Sequence, residues 1–206
     1  MAVETGSITD SNQEYPSDCY GYNTKGASSG VYRIQPRGGK SFQVFCDFTR
    51  DSGPWTVIQK RVDGSENFYR GIADYRAGFG SASKEFWVGL DHLHRLTRER
   101  SMRLRVDLCN PNGCGFGIYT NFRVGDAASD YTLTSATFNS GNIGDSLGYH
   151  VGRKFSAHDY KRDVWSSNCA VRFRGAWWYG ACHNSNLNGF YGATGYADGK
   201  FSLTAF

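Results

Sequence analysis

No run in this sequence approaches the ~20 consecutive apolar residues of a membrane-spanning helix, so no membrane insertion is expected. The first eighteen residues, MAVETGSITDSNQEYPSD, lack the apolar core of a secretory leader, which implies either a leader already removed or a domain cut from a longer chain. Proline is scarce, at four residues, and there is no internal repeat. Charge of one sign is also in short supply. The formal net charge is +4, whereas nucleic-acid binders gather Lys and Arg on one face. The densest basic segment holds Arg95, Arg98, Arg100, Arg103 and Arg105; at helical spacing these scatter around the axis, and Glu99 interrupts them. The segment reads as solvated surface, and no nucleic-acid partner is expected. Zinc spacing is missing too, since no Cys-x-x-Cys or His-x(3–5)-His pair accompanies the cysteines.

What is present points to a folded domain. The chain has 206 residues, 39% of them hydrophobic and 16% aromatic, which excludes disorder and suffices for a substantial core. Glycine, at 26 residues, is nearly twice its usual share of ~7%, which argues for many turns and against a helical bundle. Six cysteines admit fifteen pairings, of which the sequential one closes the shortest loops. Cys109-Asn-Pro-Asn-Gly-Cys114 is a turn sequence that brings its own ends together. Disulfides place the chain in an oxidising compartment, and the expected location is extracellular.

Apolar alternation predicts antiparallel strands with one buried face over Ser41 to Phe48, Trp55 to Arg61 and Met102 to Leu108. Short helices are predicted over Ile72 to Phe79, closed by Gly80, and over Asp91 to Arg98, capped by Asp91. From Gly141 to Gly199 periodicity disappears and Gly, Asn, Ser, Asp and aromatics crowd together. Such a long irregular segment in a compact domain usually carries function, and the binding site is expected there.

Ordered motifs make the reading specific. They are Ser29-Gly30-Val31-Tyr32-Arg33-Ile34, Val44-Phe45-Cys46-Asp47, Trp55-Thr56-Val57-Ile58-Gln59-Lys60-Arg61 with Asp63-Gly64-Ser65, Tyr75-Arg76-Ala77-Gly78-Phe79-Gly80, and Glu85-Phe86-Trp87-Val88-Gly89-Leu90. Asn168-Cys169-Ala170, Gly175-Ala176-Trp177-Trp178-Tyr179 and Cys182-His183-Asn184-Ser185-Asn186-Leu187-Asn188-Gly189 follow. Together they resemble the fibrinogen-like domain family from Cys19 to about Gly199, and the Cys169 to Gly189 wording is most similar to its ficolin and tachylectin branch. The resemblance implies an α+β fold: a small disulfide-tied N-terminal part, a central twisted antiparallel sheet with short helices, and a loop-rich C-terminal part carrying the ligand. It implies a linker over residues 1–18, a domain over 19–206 with a short last strand in 200–206, and the pairs Cys19–Cys46 and Cys169–Cys182. Cys109–Cys114 lies outside the family pattern and follows from proximity and parity.

In the acetyl-binding branch, two adjacent backbone N–H groups receive the ligand carbonyl. By resemblance these are the N–H groups of Cys182 and His183, aimed by a cis bond between Ala181 and Cys182, with Phe173, Tyr196 and Ala197 walling the methyl group. One aromatic of the usual pocket is lost in the shortened C-terminal segment. Trp177 and Trp178 read as core, Asn186 and Asn188 as loop-backbone partners, and His183 as neither metal ligand nor general base. The family's acidic run reads Asp159-Tyr160-Lys161-Arg162-Asp163 here. The resemblance implies calcium on Asp163 and the carbonyls of Trp165 and Ser167, but Lys161 replaces an expected aspartate. Calcium takes six to eight oxygens; lysine offers none, and a unit-charge pair ~4 Å apart is worth about 4 kcal/mol at an effective dielectric of 20. The expectation is a weakened site in which Lys161 or Arg162 pairs with Asp163, and no other cofactor.

The implied function is a secreted, lectin-like pattern-recognition module of innate immunity, binding acetylated glycans of microbial surfaces (N-acetyl sugars, peptidoglycan-like ligands). It would be clustered through segments absent from this chain. The alternative is an extracellular ligand for a cell-surface receptor, as in angiopoietin-like relatives. A clot-forming subunit needs an acid between the last two cysteines and none lies there; Arg172 and Ala181 do. No enzyme is expected.

Overall fold

The computed structural model describes residues 14–23, 26–50, 53–110, 113–192 and 201–205. Its centre is one antiparallel sheet in the order β1 (Gly30–Ile34), β2 (Phe42–Asp47), β3 (Trp55–Lys60), β9 (Phe201–Ala205), β6 (Met102–Asn110), β7 (Gly113–Val124) and β8 (Leu133–Gly141). The two-residue strands β4 (Phe79–Gly80) and β5 (Phe86–Trp87) pair with each other, and β5 also pairs with β3. The short last strand is therefore central: Leu203 pairs with Gln59 of β3 on one side and Val106 of β6 on the other.

Strand β3 departs from the expected single buried face. Five of its six residues are buried, because the N-terminal part and α2 (Leu90–Thr97) cover the face of Thr56 and Ile58, while the loop at Leu187 and Asn188 covers Gln59. The amide of Cys19 donates to Thr56 Oγ1 at 3.1 Å, while Ile58 faces Leu93 and Leu96 across a small apolar gap. Helix α2 buries Leu90, Leu93, Leu96 and Thr97, the spacing of one helical face. Asp91 does not cap it. Gly89, with φ at 98°, starts the helix, and the Asp91 carboxylate accepts the Tyr131 hydroxyl instead. Helix α1 (Ile72–Ala77) is shorter than expected and ends at Gly78; its first amide, that of Ile72, donates to Asp159 Oδ1 at 2.8 Å.

All three disulfides join sequential cysteines: Cys19–Cys46, Cys109–Cys114 and Cys169–Cys182. Cys109 and Cys114 face each other in the β6–β7 ladder, so the turn sequence forms a hairpin tip with its own staple. The chain is already fixed ahead of Cys19, with Gln35 N–H donating to Pro16 O at 2.7 Å and the Asp18 side chain capping the turn at Cys19–Tyr22.

From residue 142 to 192 the chain is loops with one short helix, α3 (Cys169–Arg172). Trp177, Trp178 and Tyr179 are at most 2% exposed, with Trp178 packed on both Phe155 and Trp177, so the tryptophans are core as expected. This part is joined to the sheet by polar groups. Gln59 Nε2 donates to Leu187 O at 2.7 Å and Asn188 Oδ1 at 3.0 Å, and Arg61 Nη1 donates to Gly189 O at 2.9 Å. Beneath Arg61 lies Glu85, 2% exposed, 3.9 Å from the guanidinium. Its carboxylate accepts the amides of Val62 (2.5 Å), Asp63 (3.1 Å), Gly64 (2.9 Å) and Glu66 (2.8 Å). Burial opposes ionisation of Glu85, but these donations outweigh it and hold the carboxyl below its ordinary range.

Glu85→Gln keeps the shape but turns one acceptor oxygen into a donor and leaves Arg61 buried without a counter-charge. The expected loss is about 3–5 kcal/mol in urea unfolding. A loss under about 1 kcal/mol would show that the loops hold without this anchor.

Candidate functional site

The candidate site is built where the Cys169–Cys182 disulfide crosses between α3 and the loop after Tyr179. Asn168 starts α3 by accepting the Val171 amide at 3.2 Å, and Phe173 ends it. Gly175 then lets the chain touch the next loop: a Cβ there would lie 2.9 Å from both Asn188 O and Gly189 Cα.

Around Cys182 the chain reverses. The Ala181–Cys182 bond is trans, and among the described residues only Gly53–Pro54 is cis. This corrects the expected cis bond. The reversal comes from Cys182 itself, whose φ is +70°, closed by the Gly180 amide donating to Cys182 O at 2.9 Å.

Five consecutive amides, from Ala181 to Ser185, are sorted by this turn. Ala181 N–H donates to the Tyr149 hydroxyl at 3.0 Å. Those of Asn184 and Ser185 converge on His150 Nε2 at 3.3 and 3.2 Å. The two in the middle, Cys182 and His183, have no acceptor among the described residues. Phe173 stands edge-on to the His183 ring at 4.4 Å, and Tyr179 lies 6.0 Å from it. Both His183 ring nitrogens are buried without a hydrogen-bond partner among the described residues, and burial pushes the imidazole pKa down. The result is a pair of adjacent donors beside an aromatic wall, a site for a carbonyl attached to a small apolar group. Phe173, Ala181, Cys182 and His183 are thus brought together, while Tyr196 and Ala197 lie outside the described residues.

Supporting groups behave as expected of structural ones. Asn186, 4% exposed, accepts the Tyr179 hydroxyl at 2.7 Å and donates to Phe173 O at 3.4 Å; Asn188, fully buried, donates to Ala176 O at 3.1 Å. Sequence reasoning missed His150 and Tyr149. His150 is fully buried, and its Nδ1 lies 2.7 Å from Trp178 O, so Nδ1–H donates and Nε2 accepts. Burial, chiefly, pushes its pKa down to about 4.

Ten residues upstream of Phe173, the Asp163 side chain is fully buried. Lys161 Nζ is 3.3 Å from Asp163 Oδ1 and donates to Asp163 O at 3.0 Å. Arg162 pairs elsewhere, with Asp130 at 3.1 Å. Asp163 Oδ1 also accepts the Trp165 amide at 3.1 Å, while Oδ2 is buried with no donor among the described residues. One carboxylate already holding an ammonium does not fit a calcium ion, and among the described residues no group of three His, Cys, Asp or Glu could hold a metal.

Comparisons with known proteins agree with this geometry. Residues 15–202 match the family described as "Fibrinogen beta and gamma chains, C-terminal globular domain". Human tenascin-R is 44% identical over 90% of the chain, which spans only 14% of tenascin-R. Human ficolin-3 is 42% identical over 93% of the chain and 64% of its own length. The solved fibrinogen-like globe domain of human ANGPTL2 superimposes with a TM-score of 0.86 at 34% identity, over 93% of this chain and 98% of that one. The fold and the sequence matches agree, and the chain belongs to the fibrinogen C-terminal domain family.

Proposed function

We propose that this domain is an extracellular, non-enzymatic recognition module that binds the acetyl group of N-acetylated sugars, such as those of microbial surfaces. The observation carrying this reading is the pair of adjacent Cys182 and His183 amides, without acceptors among the described residues, beside Phe173. Fixed donors need no rearrangement when a carbonyl arrives, and the disulfide and His150 hold them in place. Each new hydrogen bond contributes about 1 kcal/mol net, and an acetyl group buries few atoms, so single-site binding is expected near ~1 mM. N-Acetylglucosamine should displace a bound acetylated conjugate where glucosamine does not, and Phe173→Ala should abolish the displacement. Equal competition by glucosamine, or low-micromolar affinity of the monomeric chain for the monosaccharide, would overturn the reading. A second reading, a protein ligand for a cell-surface receptor, draws on the likeness to angiopoietin-like globe domains. It predicts no discrimination between the two sugars.

His150 makes the site acid-sensitive. Its neutral Nε2 accepts two loop amides, and a protonated ring cannot. The folded pKa, about 4, lies below the ordinary ~6.5, so the unfolded chain binds the extra proton first as pH falls. The stabilisation is complete above ~6.5 and fades through about 4, by as much as about 3 kcal/mol. The thermal midpoint should decline from about pH 6.5 downward, whereas sugar affinity should fall only as the folded imidazole itself protonates, through about pH 4, and His150→Gln should remove that component of both. A thermal midpoint unchanged between pH ~6.5 and ~4.5 contradicts it.

The loop from His158 to Cys169 is proposed to be held by Lys161 instead of calcium. Excess calcium and chelator should give the same thermal midpoint, whereas Lys161→Asp should acquire calcium-dependent stabilisation. A wild-type midpoint that drops by several degrees on chelation would place an ion beside Asp163 after all.

A further inference from the structure

One disulfide stands apart from the other two in exposure and in the length of chain it closes. Cys19, Cys46 and Cys169 are fully buried, and Cys182 is 8% exposed. Cys109 and Cys114 are both exposed, at the tip of the β6–β7 hairpin. The buried pairs span separations of 27 and 13 residues, whereas this one spans only 5. A short loop loses little entropy on closing, so this bridge restrains the unfolded chain least and contributes least to stability.

The folded tip does not depend on the bridge either. Cys109 and Cys114 form one rung of a ladder running from the Asn110 and Gly113 pair to the Met102 and Phe122 pair, so backbone pairing holds the strands on both sides of the sulfurs. Strand β6 is held on its other edge by β9, where Phe201 pairs with Leu108 beside the bridge. Strand β7 is held by the loop that follows β8. The Phe116 amide donates to Asn142 Oδ1 at 2.8 Å, and the Asn142 amide donates to Phe116 O at 2.9 Å. Ile143 lies so close that a Cβ added to Gly115 or Gly117 would stand 2.7 or 3.0 Å from it. As a staple for the tip, the bridge is therefore redundant. The other two are not. Cys19–Cys46 ties the N-terminal turn to β2, and Cys169–Cys182 ties α3 to the loop after Tyr179, so attack on either needs the surrounding core to open first.

We propose that Cys109–Cys114 is a thiol-exchange site of the folded domain, open to a small thiol of the glutathione class while the other two bridges stay closed. In the oxidising compartment that three disulfides imply, the resting state is the closed bridge. The incoming thiolate forms a bond to one of the two sulfurs. The Cys109–Cys114 bond breaks, and the other sulfur leaves as a thiolate that takes a proton from water. A second small thiol attacks the mixed disulfide in the same way. The small thiols are thereby oxidised to their own disulfide, and the same two electrons reduce the cysteine pair to two thiols. The ladder keeps those thiols opposite each other, with Cα atoms 4.1 Å apart, so oxidation closes the bridge again without rearranging the chain. The site shares no residue with the Cys182–His183 amides, so the state of the bridge does not bear on sugar binding.

Incubating the whole folded chain with reduced glutathione, trapping thiols with N-ethylmaleimide and locating the label by peptide mass spectrometry tests this. Label should appear on Cys109 and Cys114 about tenfold or more faster than on any other cysteine, and the labelled chain should still unfold in one cooperative transition. In concentrated urea the preference should disappear, because it comes from the fold. Cys114→Ser, with Cys109 left unpaired, should take up one glutathionyl group from oxidised glutathione and lose it to reduced glutathione. Label arriving first at another pair, equal rates at all three pairs, or no label before the chain unfolds would each overturn the site. So would a preference that persists in urea, or a Cys114→Ser chain that forms no adduct.

Discussion

The buried Arg61–Glu85 pair is the joint on which the two halves of this domain meet. The sheet presents β3, and the ligand loops present carbonyls at Leu187 and Gly189 that no strand satisfies. A guanidinium can reach both while stacking on Phe68 at 3.8 Å, but burying it needs a nearby anion. Glu85 supplies that anion, and its own desolvation is offset by four amides of the turn that follows Arg61. Each member of the arrangement is affordable only because the others are present, so the Asp63-Gly64-Ser65 turn, the β5 approach and the Asn186–Gly189 loop are fixed together.

The recognition site applies the same logic with the opposite outcome. Most loop amides near Cys182 find an acceptor in the half-buried Tyr149 or the buried His150. The turn at Cys182 directs two amides away from those acceptors. The Cys169–Cys182 disulfide and the Phe173–His183 contact border them, so the two donors are held by their surroundings.

What was legible in the sequence followed regular rules. Alternation located β2, β3 and β6, and the Asn-Pro-Asn-Gly turn located the β6–β7 hairpin. Alternation could not show that β3 is covered on both faces, since the partners of Thr56 and Gln59, the turn at Cys19 and the loop at Leu187, lie far away in the sequence. Asp91 had the composition of a cap but was drawn to Tyr131, a long-range partner invisible to local rules. His150 carried no signal, because it acts through backbone groups 28 to 35 residues away. That Phe173 and the residues around Cys182 come together was readable from motif wording, but the conformation of the turn was not.

The place of β9 bears on how the molecule is made. Among the described residues, β3 and β6 have no strand between them other than Phe201–Ala205. The hairpins β1–β2–β3 and β6–β7–β8 use neighbouring segments and can form as each leaves the ribosome. Until the final strand emerges, however, each half displays an open edge of unpaired amides and carbonyls, the kind of edge that recruits stray strands. The nascent domain thus holds two unsealed sheets and becomes a single one only once Phe201–Ala205 has emerged. A chaperone that shields strand edges would be needed most during that interval.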